Sequence, residues 1–382
     1  MIKRIYLDNA ATTPVLPEVL DAMLPYFCEE FGNPGGSYSL GETAKTAVRN
    51  ARNLIAKTIG AESSEIYFTS GGSEGDNMAI KGVTDMYPSG HIITTAVEHK
   101  AVLNSCHYLE GKGYNVTYLQ PDERGYISPE QVESAITDDT ILVSVMMVNN
   151  EIGTVMPIKE IADICNKHGV TFHTDAVQAY GHKPNIDVKE LNIDLLTVSG
   201  HKFHAPKGTG FVYVRHTCKI QPIILGGGQE SGMRSGTENV PGVVGLAKAA
   251  EIAHDKIEAK YEYVLGLRDH MIERIISEIP KTALNGTLLL RSANNVNIRI
   301  NGVSGESLLV LLDMRGISAS TGSACNSADG KPSHVLKAIG LTDDEARSSV
   351  RFTLDDGLTI DDIDYAVDVL KECVEQLRML GD

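Results

Sequence analysis

The sequence predicts an α/β protein: a large domain on a mostly parallel sheet with helices on both faces, and a smaller α+β unit. Three observations carry that prediction. Strand and helix signals alternate from about residue 40 to 215. The run Ile141–Val148 (ILVSVMMV) is apolar on both faces, as a central parallel strand is. After Val240 the rhythm changes to long helices with fewer strands between them.

Element by element, residues 42–60 place Ala44, Ala47, Val48, Ala51, Leu54, Ile55 and Ile59 at helical spacing, and Gly60 stops the helix. Glu65–Thr69 reads as a strand ending in Ser70-Gly71-Gly72. His91–Val97 is the next strand, followed by a helix over about 100–109. Ile158–His168 is a helix, and Thr171–Thr174, Leu195–Val198 and Gly210–Val214 are strands. Strands separated by helices imply right-handed parallel crossovers. The second unit reads as a helical stretch (245–276), a strand (295–300), a helix (306–314), a Gly/Ser-rich segment (318–327), a strand (350–353) and a closing helix (360–379). The large domain is expected over 14–250. The small one combines 1–13 with 251–382 and carries a loop over about 318–332.

Composition excludes several classes. There are 34 Lys and Arg against 50 Asp and Glu, a net charge of −16. Such an acidic surface argues against general binding of nucleic acid or anionic membranes. No apolar stretch approaches bilayer length, and residues 1–14 do not read as a secretory leader. The 6 cysteines stand far apart with no CxxC, so the expectation is a cytoplasmic chain with reduced thiols and no metal site.

Several strand ends carry polar residues. Ser199-Gly200-His201-Lys202 sits where α/β sheets bind ligands, and a desolvated lysine there can form a Schiff base. Alone, such a lysine is more often simply solvated. Asp175 ends a strand expected to be buried; it either caps a helix or meets a cation, such as a protonated pyridine nitrogen. Ser70-Gly71-Gly72-Ser73 lets backbone N–H groups approach a phosphate, although a plain Gly-rich turn has the same composition. Glu98-His99-Lys100 and Asn149-Asn150-Glu151-Ile152-Gly153 follow two further strands. Together these ends describe one site. Cys325 lies in a small, polar segment, Ser320–Ser327, and is either the reactive cysteine or an incidental loop thiol. Cys106, Cys165 and Cys373 fall in helical apolar stripes, and Cys28, near Leu24 and Phe31, is also expected to be buried.

The set resembles the NifS/IscS-type cysteine desulfurases, fold-type I pyridoxal-phosphate enzymes of the class-V aminotransferase family. It is carried by Tyr6-Leu7-Asp8-Asn9-Ala10-Ala11-Thr12-Thr13, Asn149–Gly153, Ser199–Lys202, Gly226-Gly227-Gly228-Gln229-Glu230, Arg234-Ser235-Gly236-Thr237 and Gly322-Ser323-Ala324-Cys325, in order. The resemblance implies a seven-stranded sheet and pyridoxal 5'-phosphate held by Lys202, with Asp175 on the ring nitrogen and His99 over the ring. Asn150 and Gln178 would orient the ring. Gly72, Ser73, Ser199 and His201 would hold the phosphate, joined by Thr237 across a homodimer. Arg351, with Asn33 and Asn150, would bind the carboxylate of L-cysteine. Cys325 would take the sulfur as a persulfide for an acceptor protein in iron–sulfur assembly or thiolation. Gly35, Gly36 and Tyr38 depart from a pattern in which relatives often carry two serines and a histidine, and Ser73 stands where threonine is usual. The extended C-terminal tail of some relatives is not expected. A selenocysteine lyase or another β-lyase shares Lys202 but needs no persulfide.

Overall fold

The computed structural model describes residues 4–255, 257–321 and 331–381. The chain opens with β1 (Ile5–Tyr6), α1 (Pro17–Met23), α2 (Pro25–Cys28) and α3 (Ser39–Thr58). Then come β2 (Ile66–Thr69), α4 (Gly72–Thr84), β3 (His91–Thr95), α5 (Lys100–Glu110), β4 (Asn115–Leu119) and α6 (Pro129–Ala135). They lead into β5 (Thr140–Ser144), α7 (Ile158–His168), β6 (Thr171–Asp175), β7 (Leu195–Ser199) and β8 (Gly210–Val214). Two long helices follow, α8 (Val240–His254) and α9 (Ile257–Glu278). The remainder is β9 (Thr282–Leu284), β10 (Asn295–Ile300), α10 (Gly305–Met314), β11 (Ile317–Ser318), α11 (His334–Ala338), α12 (Asp343–Arg347), β12 (Ser349–Thr353) and α13 (Ile360–Leu380).

Seven strands form the central sheet in the order β2-β8-β7-β6-β5-β3-β4. β4, β3, β5, β6 and β7 are parallel; β8 runs antiparallel to both β7 and β2. Two reversals leave β2 parallel to β7, so the carboxyl ends of β2, β3, β5, β6 and β7 share one edge. Every residue of β3, β7 and β8 is buried, which explains their β-branched and aromatic composition. Helices cover both faces. α3, α7 and α8 pack on one, burying Ala44, Val48, Ala51 and Ile55 of α3 at helical spacing. α4 and α5 cover the other, with Met78, Ile80, Val102 and Cys106.

A second core joins Ile5 and Leu7 to residues of α9, α10, α13, β10 and β12. There β10 lies between β9 and β12, both antiparallel to it, and β1 pairs in parallel with β11. Val335, Leu336 and Ala346, from α11 and α12, pack instead into the first core.

Three local expectations change. The strand expected over 141–148 ends at Ser144; residues 145–148 stay buried, but as a connection that meets Val155 in an isolated bridge. The helical stretch over 245–276 is two helices, because Asp255 leaves helical geometry. Cys28 is exposed, as are Leu24 and Phe31 beside it. Cys106, Cys165 and Cys373 are buried. Among the described residues no helix is long and apolar enough to cross a membrane.

Candidate functional site

The shared carboxyl edge opens onto a cavity of about 380 Å³. Its lining includes Ala10, Ala11, Gly72, Ser73, Asp76, His99, Asn150, Asp175, Gln178, Ser199, His201, Lys202, His334 and Arg351. Nearly all the site residues expected from sequence therefore converge. Asn33 does not: it is exposed, and its Oδ1 accepts from the Gly35 N–H at 2.9 Å. Thr237 is exposed and also absent from this lining. Cys325 lies outside the described residues.

Lys202 follows β7 in a single 3-10 turn. Its Nζ donates to the carbonyls of Ala10 (2.6 Å) and Ala11 (2.9 Å), so the N-terminal segment holds the amine at the cavity. Gln178 Nε2 donates to the same Ala10 oxygen at 3.1 Å. Asp175 ends β6, is 4 % exposed and accepts the Val177 N–H at 2.8 Å. Burial raises its carboxyl, while His99, that N–H and Lys202 oppose the rise. No basic side chain among the described residues reaches ion-pair distance of it, so this carboxylate gains from a cation entering the cavity.

His99 caps α5: its Nδ1 accepts the Ala101 N–H at 3.1 Å. The cap fixes the ring at the cavity wall. Burial lowers its proton affinity, against the pull of Asp175. Asn149 builds the next turn, with Oδ1 accepting from Glu151 and Ile152 and Nδ2 donating to Val97. Asn150 is thereby presented to the cavity, and its carbonyl accepts from Arg351 Nη1 at 2.8 Å. Arg351, 2 % exposed on β12, also pairs with Asp8 at 2.8 Å. A planar guanidinium in such a mouth can hold a carboxylate.

Beside the cavity, Ser70, Gly71, Gly72, Ser73, Ser199, His201 and Lys207 line a second recess at the start of α4. Gly71 has φ 144°, and a Cβ there would stand 3.3 Å from Ser199 Oγ. The helix start carries no side-chain cap, so its amide N–H groups and positive dipole end remain for an anion. His201 Nδ1 lies 3.1 Å from Thr12 Oγ1, and burial with Lys202 and Lys207 pushes it down to about 4. A buried carboxyl for a ring nitrogen, a lysine amine, an imidazole and an anion cradle are the donor set that pyridoxal phosphate requires, and these residues fit it.

Two acids of the strand-end motifs, Glu98 and Glu151, and two residues with no local sequence signal, His334 and Asp76, complete the surroundings of the site. Glu98, whose Oε2 has no hydrogen-bond partner among the described residues, is pushed up to about 8 by burial. Glu151 is raised to about 7 by burial, against the Ser333 hydroxyl that donates to it. His334 reaches the Glu98 carbonyl at 3.0 Å from α11. Asp76 is buried beneath the cavity on α4. Among the described residues no cluster of His, Cys, Asp and Glu could hold a metal ion.

The aminotransferase class-V model matches residues 5–365. Cysteine desulfurase IscS of Methanosarcina thermophila is 53% identical over 381 residues, 99% of this chain and 94% of that protein. The chain belongs to the class-V aminotransferases, among the IscS/NifS-type cysteine desulfurases. A solved NifS-like protein superposes with a TM-score of 0.92 at 35% identity, covering 98% of this chain and 100% of that one. A structure titled SspA in complex with cysteine superposes at 0.83 with 41% identity, covering 92% and 99%. The α/β fold of the class-V family, with its seven-stranded sheet, is thus the fold of this chain.

Proposed function

We propose that this chain is a pyridoxal-phosphate-dependent enzyme that converts L-cysteine to L-alanine and passes the sulfur to Cys325. The observation that carries the reading is the convergence of Lys202, Asp175 and His99 on one cavity beside an uncapped helix start. The family's cysteine desulfurases supply the substrate class.

When bound, pyridoxal phosphate supplies the electron sink that lets the Cβ–S bond of cysteine break. The chain's residues do the rest. The amides of Gly72 and Ser73, with Ser199 and His201, bind the phosphate and fix the register of the ring. Asp175 keeps the ring nitrogen protonated. His99 covers the ring, and Asn150 and Gln178 orient it. Arg351 takes the substrate carboxylate and aligns Cα with Lys202, whose Nζ moves the proton there. The Cys325 thiolate accepts the substrate sulfur, giving a persulfide and releasing alanine after protonation at Cβ.

The division into a cofactor domain over 14–250 and a second unit of 1–13 with 251–382 belongs to this reading. So do a cytoplasmic setting with reduced thiols, an acceptor protein for the persulfide, and a homodimer in which Thr237 completes the neighbour's phosphate site. Sedimentation of a fully active monomer would overturn the dimer. The central test uses protein reconstituted with pyridoxal phosphate and given L-cysteine. Alanine should form with sulfur on Cys325 by mass spectrometry, and its absence refutes the reading.

A further inference from the structure

The turn that presents Lys202 carries one residue in an unusual conformation. His204, two residues on, has φ 69°, in the left-handed region that residues other than glycine rarely adopt. Such a residue persists where its surroundings hold it. Three bonds do so here. The His204 N–H donates to Thr13 Oγ1 at 2.7 Å. On the ring, Nδ1 lies 3.0 Å from the Pro14 carbonyl oxygen and Nε2 lies 2.9 Å from Asp355 Oδ2. A carbonyl and a carboxylate are both acceptors, so both ring nitrogens donate and the ring is an imidazolium. Burial opposes that charge, but Asp355, the Pro14 carbonyl and Asp356 favour it more strongly.

These bonds grip the N-terminal segment that holds the lysine. Thr13 bonds the turn a second time: its N–H and Oγ1 donate to the His201 carbonyl at 2.9 and 3.1 Å. At the other end of the segment, Asp8 pairs with Arg351 at 2.8 Å, and Asn9 Nδ2 donates to the Thr353 carbonyl at 2.8 Å. Between the two grips lie Ala10 and Ala11, whose carbonyls accept from Lys202 Nζ. Asp355 stands four residues after Arg351, so the run that begins on β12 reaches both ends of the segment. Behind the turn lies a second cavity of about 280 Å³, lined in part by Pro14, His182, Phe203, His204 and Asp355. There His182 Nε2 adds one more bond, donating to the Lys202 carbonyl at 2.8 Å. With a void on that side instead of close-packed side chains, hydrogen bonds set where the turn sits.

Resting on the pyridoxal phosphate reading, we propose that His204 is a positioning residue for Lys202: clasped between the Pro14 carbonyl and Asp355, it fixes the turn after β7 against residues 8–14 and so sets where the lysine amine stands. Its ring joins three segments that each carry part of the site: the Lys202 turn, the Ala10 and Ala11 carbonyls, and the run that bears Arg351. The amine must be well placed to attach the cofactor and to move the proton at Cα. Carboxylate binding depends instead on Arg351, whose bonds to Asp8 and Asn150 do not pass through His204.

The test uses His204→Asn, Asp355→Ala and the double variant in the full-length chain. Asn tolerates the left-handed backbone, but its short amide cannot span both acceptors. The first readout needs no turnover. Cofactor-free protein is mixed with pyridoxal phosphate, and the link at Lys202 is trapped with borohydride at timed intervals and mapped by mass spectrometry. Attachment should slow about 10–100-fold in each variant, while cofactor still binds at the phosphate recess. The second readout is steady state: kcat for alanine release should fall by the same order, with KM for cysteine within about twofold of wild type. The double variant should be no slower than the slower single one, because both changes open the same clasp. If His204→Asn does not fold, Asp355→Ala carries the test with His204 in place. Wild-type attachment and kcat with only a lower Tm overturn the proposal, since the clasp would then serve stability alone. A raised KM at unchanged kcat overturns it by placing the effect at Arg351, and additive slowing in the double variant does so by separating the two residues. Failure of the wild-type protein to form a reducible link at Lys202 would instead sink the functional reading.

Discussion

Lys202 Nζ lies 2.6 Å from the carbonyl oxygen of Ala10, a residue at the far end of the chain. The bond brings the lysine that follows β7 against the segment that follows β1. The amine is therefore held at the cavity before any ligand arrives.

Replacing Lys202 by Ala removes both the covalent anchor and the proton carrier. Borohydride reduction should no longer fix cofactor to the protein, and turnover should fall by about 10²–10⁴-fold or more. The phosphate recess is untouched, so weak cofactor binding should persist. Normal turnover with a reducible link would transfer the role to another lysine.

Arg351 already spans Asp8 and the Asn150 carbonyl, so its guanidinium plane is set before substrate binds. Lysine keeps the charge but not the fork. Arg351→Lys should raise KM for cysteine about 10–100-fold, the equivalent of one charge-assisted hydrogen bond, with a smaller effect on kcat. Steady-state kinetics decide it, and an unchanged KM would place the substrate carboxylate elsewhere.

His204 and Asp355 meet at 2.9 Å and tie the turn after β7 to the end of β12. Burial pulls the imidazole down, but the hydrogen bond and charge of Asp355 win and its pKa is raised. Burial raises Asp355, yet His204 holds its pKa below the usual value. A raised His contributes stability below its unfolded pKa, about 6.5, and loses it as pH climbs through the folded value. A depressed Asp contributes above about 3.9 and loses its share as pH falls through its lower folded value. The pair is thus fully effective between about pH 4 and 6.5. His204→Gln should cost about 1.5–3 kcal/mol at pH 6 and less at pH 9, read from urea melts at both pH values. An equal cost at the two pH values would show that the ion pair contributes nothing.

The cysteines should sort by chemistry. Cys325→Ala should keep cofactor and cysteine binding but stop alanine release, because no thiol remains to take the sulfur. Burial pushes Cys106 and Cys165 up to about 12, so iodoacetamide at pH 8 should spare both in the folded protein and modify exposed Cys28. A persulfide mapped to Cys106 would contradict the assignment.

Much of the architecture is written locally. α7, β8 and β10 fall on the residues expected, because each is a run of one period with a clear stop; Gly169, in the left-handed region at φ 69°, ends α7. β4 lacked that signal, since an edge strand with half-exposed Thr117 and Tyr118 need not be apolar. Residues 145–148 misled in the opposite sense: apolar and buried, they keep hydrogen bonds to His173 and Asp175 and a bridge to Val155, yet lie outside the strand. Cys28 shows that apolar neighbours in sequence do not guarantee cover in space. In the site, strand ends were legible because α/β sheets gather function there. Asp76 was not, since nothing in a helix interior marks which turn overlies a strand end. The Asp8–Arg351 pair spans 343 positions and belongs to the tertiary fold alone.

The single reversed strand has a consequence for synthesis. β2 touches the sheet only through β8, so that strand has no paired neighbour in the sheet until residue 214 has left the ribosome. β3 to β7 can pair as they emerge, whereas the anion cradle is sealed late, by a long-range contact that is slow to form. A nascent chain halted before β8 would expose the unpaired flank of β7, and in such a chain holdase chaperones would find their target there.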